Sequence, residues 1–218
     1  MIKAICFDFD GTLAEYQGDF TKLGLEVFSD LGLSNELFPK AFAEFIELDR
    51  TDGARNVVDM LEHIATKLNL AKSNLASTAN LMNQKYCSEI KLLDSAKKTL
   101  DLVKHLPLAI ITNGPSDMQR YAIKAVAIED YFTTIVVSAD KDVAVRKPKA
   151  KIFQIAANRL ACDASEILMI GNSIDDIAGG QAAGFKTISF DERYGVGSFA
   201  KNHQELRKIL KAKYLYQN

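Results

Sequence analysis

The sequence has little of what marks several classes of protein. Cysteine is scarce: Cys6, Cys87 and Cys162 form an odd, scattered set with no C-x-x-C pair. That argues against a disulfide framework and fits a reducing compartment. Histidine is equally sparse. His63, His105 and His203 stand alone, with no pair at metal-binding spacing, and read as ordinary polar positions. Net charge is almost nil, at −1, so nothing supports a general nucleic-acid or membrane-surface binder. No apolar run approaches membrane-spanning length. The apolar start is broken at Asp8 and Asp10, too early for a signal peptide. Repeats and low-complexity tracts are also missing. A soluble, cytoplasmic protein is expected, a monomer or homodimer, with neither nucleic acid nor membrane as partner.

What is present is ample for a core: 218 residues, 48% hydrophobic. The length fits one domain with an insertion or two modest domains. The N-terminal stretch from Ile2 to Thr12 organises the rest. Its first part is apolar enough for a strand buried on both faces, as in a parallel sheet. Asp8 and Asp10 then flank Phe9, and residues two apart in an extended chain share a side. Gly11 permits a sharp turn and Thr12 adds a hydroxyl. Two carboxylates so placed repel unless a cation or a shared proton relieves them. A divalent metal held by oxygens is the expected relief.

After Leu13 the periodicity turns helical. Phe20, Leu23, Val27, Phe28 and Leu31 begin it, and Val57, Val58, Leu61, Ile64, Ala65 and Leu68 form its clearest apolar face. Leu75, Ala79, Met82 and Tyr86 continue it more weakly. Residues 15–90 are therefore expected as an all-helical unit of about four helices. From Leu92 onward strands and helices alternate. Strands are expected over Leu108–Thr112, Thr133–Val137, Ile167–Ile170 and Lys186–Phe190. Helices are expected over Ser95–His105, from an N-cap at Ser116 through Ala127, and over Lys149–Leu160, Asp176–Ala183 and His203–Lys213. Such alternation means right-handed crossovers and a parallel sheet covered on both faces. The fold class is α/β, a Rossmann-like parallel core of residues 1–14 and 91–218 with the helical unit inserted.

Ligands of open parallel sheets bind beyond the carboxyl ends of the strands. Polar groups collect there: Asp8 and Asp10, then Thr112 and Asn113, then Lys147, then Asn172, Ser173, Asp175 and Asp176. Each has a use in phosphoryl transfer. A carboxylate can attack phosphorus, which suits Asp8 on its rigid strand. A second carboxyl, Asp10, can protonate the leaving alkoxide and then activate water. The Thr112 hydroxyl and Asn113 amide can hold phosphate oxygens. Lys147 brings positive charge.

These residues sit in DFDGT (Asp8–Thr12), ITNG (Ile111–Gly114), RKP (Arg146–Pro148) and IGNSIDD (Ile170–Asp176). In that order, the four motifs resemble the haloacid dehalogenase superfamily of aspartate-nucleophile phosphohydrolases, in its phosphoglycolate phosphatase-like branch. The resemblance spans nearly the whole chain. It implies Asp8 as nucleophile, Asp10 as general acid/base, Thr112 and Lys147 on the phosphate, and Mg²⁺ as cofactor. It implies that residues 15–90 form a helical cap that opens and closes over the site and selects a small phosphorylated substrate. One position departs from the pattern. Where similar phosphatases have a metal-binding Asp, this chain has Asn172. Asn172 can ligate Mg²⁺ through its amide oxygen without the charge; Asp175 or Asp176 can reach the metal instead; or turnover is slow. The first is preferred, with Asp176 orienting Lys147 or a metal-bound water.

Rival functions share the fold. A 2-haloacid dehalogenase has no leaving alkoxide to protonate, so Asp10 argues against it. A phosphomutase would pass the phosphoryl group to a second hydroxyl. A metabolite-binding protein that lost turnover has only Asn172 in its favour. By default Lys141 and Arg146 are surface residues, Asp175 is a helix N-terminal acid and Cys6 is inert core. The polar turn from Asp49 to Arg55 either is solvated or faces the substrate.

Overall fold

The first strand, β1 (Ala4–Phe7), is buried along its whole length. A second, β2 (Ala14–Tyr16), leads into four helices: α1 (Phe20–Asp30), α2 (Phe38–Asp49), α3 (Val57–Lys67) and α4 (Leu75–Glu89). The short β3 (Ile90–Leu92) leads out of them. Alternation follows through α5 (Ala96–Val103), β4 (Leu108–Thr112), α6 (Ser116–Ala125), β5 (Thr134–Val137) and α7 (Ala150–Leu160). It ends with β6 (Ile167–Gly171), α8 (Ile174–Ala182), β7 (Lys186–Ser189) and α9 (His203–Leu210). These elements come from a computed structural model that describes residues 1–194 and 198–215.

Five strands pair in parallel in the order β5-β4-β1-β6-β7. The N-terminal strand is therefore central, with Cys6 opposite Ala109 on one side and Met169 on the other. Alternation along β1 divides the core. Ile5 and Phe7 join the apolar layer that includes Leu100, Ile123 and Leu206, under α5, α6 and α9. Ala4 and Cys6 join Ile152, Phe153 and Met169 under α7. A period of two feeding both faces is what a parallel sheet covered on both sides requires. The α/β, Rossmann-like reading is thus the observed architecture.

The helical block leaves and returns through an antiparallel two-strand ribbon, with Ala14 opposite Leu92 and Tyr16 opposite Ile90. These three-residue strands carry too few residues to show a period, which is why the sequence did not reveal them. Local chemistry sets helix starts: the Asp19 carboxylate accepts from the N–H groups of Thr21 and Lys22 at the head of α1. Ser116 is the first residue of α6, not its N-cap, which is Pro115. Its hydroxyl is taken by a stronger acceptor, donating to the Asp140 carboxylate at 2.6 Å. The same helix ends at Ala125, two residues early, because Ala127 takes a left-handed φ of 53°. At the other end of the chain α9 stops at Leu210 and a π turn continues to Leu215.

Candidate active site

Asp8 lies one residue beyond β1, its N–H still donating to Ile170 O at 2.9 Å. Gly11 then turns the chain at φ 77°. A side chain there would collide with the Asn172 carboxamide, since a Cβ would stand 2.1 Å from Nδ2. Glycine thus lets the first motif touch the last.

The centre of the site is one cation between two carboxylates. Lys147 Nζ donates to Asp8 Oδ1 at 2.6 Å, to Asp176 Oδ1 at 2.5 Å and to Ile111 O at 3.0 Å. All three charged residues are at most 5% exposed. All three ammonium protons therefore have acceptors. Asp8 Oδ2 accepts from the Thr12 hydroxyl at 3.2 Å. Asp176 Oδ2 accepts from Ser173 N and Ser173 Oγ, while Ser173 Oγ accepts from Asp176 N, a capping box that starts α8. Gly171 makes room for it, because a Cβ there would meet Asp176 Cγ at 2.4 Å.

Electrostatics follow from that count. Burial disfavours charge on Lys147, but Asp176 and Asp8 outweigh it and hold the ammonium above its ordinary range. Burial and the neighbouring Asp176 push the Asp8 carboxyl up, with Lys147 pulling it down. Burial likewise raises Asp10, against the donors that Gln119 and Tyr86 supply. Three carboxyls, Asp8, Asp10 and Asp176, thus face the single cation of Lys147.

Asp10 is fixed from both sides. Tyr86 of α4 donates its hydroxyl to Oδ1 at 3.0 Å, and Gln119 of α6 donates Nε2 to Oδ2 at 2.9 Å. Burial and the adjacent Asp10 carboxylate raise the Tyr86 phenol, which stays a donor. Gln119 Oε1 in turn accepts from the buried Thr112 hydroxyl at 3.0 Å. Asn113 spends its carboxamide on the Lys147 peptide: Nδ2 donates to Lys147 O at 3.2 Å and Oδ1 accepts from Lys147 N at 3.0 Å. Its side chain thus positions the loop that carries Lys147.

The structure gathers Asp8, Thr112, Asn113, Lys147 and Asp176 into one bonded network, joins Asp10 to it through Gln119, and sets Asn172 against Gly11. Asp10, Asn113 and Asn172 line a cavity of about 470 Å³ between the sheet edge and the helical block. Sequence reasoning missed Gln119 and Tyr86. Gln119 stands three residues after Ser116, the spacing of a capping box, so it carried the signature of a local partner. Tyr86 carried only the signature of an apolar helix face. His203, read as an ordinary polar residue, is buried behind the first motif, its Nε2 2.8 Å from Thr12 O. Cys6 is buried, and burial raises its thiol, as inert core requires.

The oxygen set fits a hard divalent cation. Asp8 and Asp10, both with raised proton affinity, stand by the cavity that the Asn172 amide also lines, and each carboxylate oxygen accepts only one bond of the two it has room for. Among the described residues no group of three His, Cys, Asp or Glu could hold a metal, so an amide, a backbone carbonyl or water would supply the further ligands.

Comparison with known proteins agrees with this geometry. The family model for haloacid dehalogenase-like hydrolases matches residues 2–184. Phosphoglycolate phosphatase of Yersinia pestis is 28% identical over 211 residues, covering 94% of this chain and 88% of that protein. Glyceraldehyde 3-phosphate phosphatase of Pyrococcus abyssi is 31% identical over 208 residues, covering 89% and 83%. The crystal structure of a HAD phosphatase from Thermococcus onnurineus superposes with a TM-score of 0.73 at 22% identity, covering 98% and 100%. A 2-haloacid dehalogenase from Pseudomonas syringae gives 0.72 at 20% identity, covering 97% and 99%; at these identities both structures speak for the fold alone. With four motifs meeting at one sheet edge and a family match over most of its length, the chain belongs to the haloacid dehalogenase-like hydrolases.

Proposed function

We propose that the protein is a Mg²⁺-dependent phosphohydrolase of small phosphorylated metabolites, working through an aspartyl-phosphate. The observation that carries this is the 2.6 Å contact between Asp8 and Lys147, 139 residues apart in sequence, beside a second carboxyl, Asp10, that has two donors of its own. The names of the relatives, which are phosphatases, support it.

Asp8 forms the bond to phosphorus while the bond from phosphorus to the alcohol oxygen breaks. Asp10, whose proton affinity is raised by burial, gives its proton to the departing alkoxide. It then takes a proton from water as that water's oxygen attacks phosphorus and releases Asp8 and inorganic phosphate. Lys147 and the Thr112 hydroxyl would turn from Ile111 O and Gln119 Oε1 to the phosphate oxygens, while Asp176 and Asn113 hold Lys147 in place. Asp8, Asp10 and Asn172 would hold Mg²⁺, which when bound neutralises the repulsion between carboxylate and phosphate. The helices of residues 15–90 serve as a cap closing the leaving-group side.

A phosphate-release assay over a metabolite panel, with and without Mg²⁺, tests this beside Asp8→Asn. The expected result is metal-dependent release that the substitution lowers by roughly 10³-fold or more. Equal turnover in the variant removes Asp8 from the chemistry.

A further inference from the structure

The leaving-group side of the cavity has a composition that selects among phosphate esters. Its charged walls are Asp10, Glu15 and Asp49; no Lys, Arg or His lines it among the described residues. Three cations around it have protein partners. Arg55 gives its guanidinium to Leu48 O, Thr51 Oγ1 and Asp52 O. Arg146 donates to Ser138 Oγ at 3.5 Å and meets Asp49 at 3.5 Å from outside the cavity lining. Lys147 is already shared by Asp8 and Asp176.

The remaining wall is aromatic and ordered. Tyr16 stacks on Tyr86, with ring centroids 4.8 Å apart and planes at 14°. Phe20 meets Tyr16 edge-on at 6.1 Å and lies 6.4 Å from Phe45. All four line the cavity. Such a wall presents flat apolar surface at little entropic cost, since the rings already hold one another.

We infer that the substrate is a phosphomonoester whose alcohol part is uncharged and carries a flat unsaturated ring with hydroxyl donors, as in a nucleoside monophosphate. This rests on the phosphohydrolase reading and narrows it. The ring would lie against Phe20 and Tyr16, and the hydroxyls would donate to Asp49. An alcohol part carrying a carboxylate or second phosphate would bring an anion beside Asp49 and Glu15, where the lining among the described residues offers no Lys, Arg or His. Specificity here is in good part repulsive.

The test measures kcat/KM of the full chain with Mg²⁺ for uridine 5′-monophosphate, glycerol 1-phosphate and phosphoglycolate. The expected order is the one given, with the first and last separated on the order of 100-fold. In Asp49→Asn the ratio of phosphoglycolate to uridine monophosphate should rise by roughly tenfold. Phosphoglycolate equal or preferred in the wild-type chain overturns the inference, whatever the variant does. So does release from all three at equal rates, which leaves the phosphohydrolase reading intact. If nothing is hydrolysed, that reading fails, and equilibrium titration of the same compounds decides this one separately. Tighter binding of uridine monophosphate upholds it; the reverse order, or no binding of either, overturns it.

Discussion

Lys147 balances two buried carboxylates at once, so its removal should be felt as stability before it is felt as rate. Breaking a buried ion pair from one side leaves uncompensated charge in a low-dielectric setting. Lys147→Met keeps the stem and removes the cation. In chelator at pH 7, urea unfolding should show a loss of about 3–5 kcal/mol. A loss below about 1 kcal/mol, the range of an exposed pair, would contradict the network as described. Asn172 supports the opposite experiment. Restoring a carboxylate by Asn172→Asp adds negative charge where Gly11 and the last motif meet, and ligand charge tunes affinity for hard cations. Mg²⁺ binding by calorimetry should tighten roughly tenfold. Unchanged binding would take Asn172 out of the ligand set. The residues in these two experiments were legible in the sequence, because Asp8, Lys147 and Asn172 stand in motifs whose spacing carries the chemistry. Gln119, Tyr86 and the clamp that Asn113 puts on Lys147 were not. Each acts through a contact between segments at least 34 residues apart, and no period or local motif encodes such a partner.

At the scale of elements, β1 and the alternating strands could be read because both-face burial leaves continuous apolar runs. The ribbon of β2 and β3 could not, since its pairing is non-local and each strand is only three residues long. The packing of α9 was also hidden, because His203 looks polar in the sequence but is 2% exposed in the fold. Its Nε2 faces Thr12 O, so that nitrogen donates, and Nδ1 at 3.0 Å from Thr99 Oγ1 accepts. Arg207 donates to the same Thr99 hydroxyl, and the Phe190 ring lies edge-on to the imidazole. Burial depresses the His203 pKa below its ordinary 6.5; the Thr12 carbonyl and Asp94 oppose this, and Arg207 adds to it. The unfolded chain therefore takes up a proton that the folded chain refuses. The stability held in this contact is complete above pH 6.5 and is lost as pH falls from there through the folded value. Denaturation midpoints across that window should fall more steeply for the wild-type chain than for His203→Gln. Parallel profiles would show that His203 titrates alike in both states.

At the scale of the whole molecule, the helical block is held to the sheet by its ribbon and by the turn between α2 and α3. That turn, which the sequence left open between solvent and substrate, docks on the loops around Lys147. The Asp52 carboxylate accepts from Arg146 N at 2.9 Å and pairs with Lys149. Arg55 N donates to Ala139 O and Ser116 N donates to Arg55 O, each at 3.0 Å. Asp117 Oδ1 accepts from Val57 N at 2.9 Å. The turn thus binds both the loop that carries Lys147 and the start of the helix that carries Gln119. Asp52→Ala should open this seam without unfolding either side. Lys149 and Asp52 are partly exposed, so the global cost should stay within about 1 kcal/mol. Amide exchange should quicken across residues 139–149 and 50–56, with β1 and β4 unchanged. Raising ionic strength in the wild-type chain should move exchange the same way, because salt screens the Lys149 pair but leaves the Arg146 N–H bond. Uniform exchange across sheet and seam in the variant would mean that the block and the sheet open as one unit, and a closing cap would lose its physical basis.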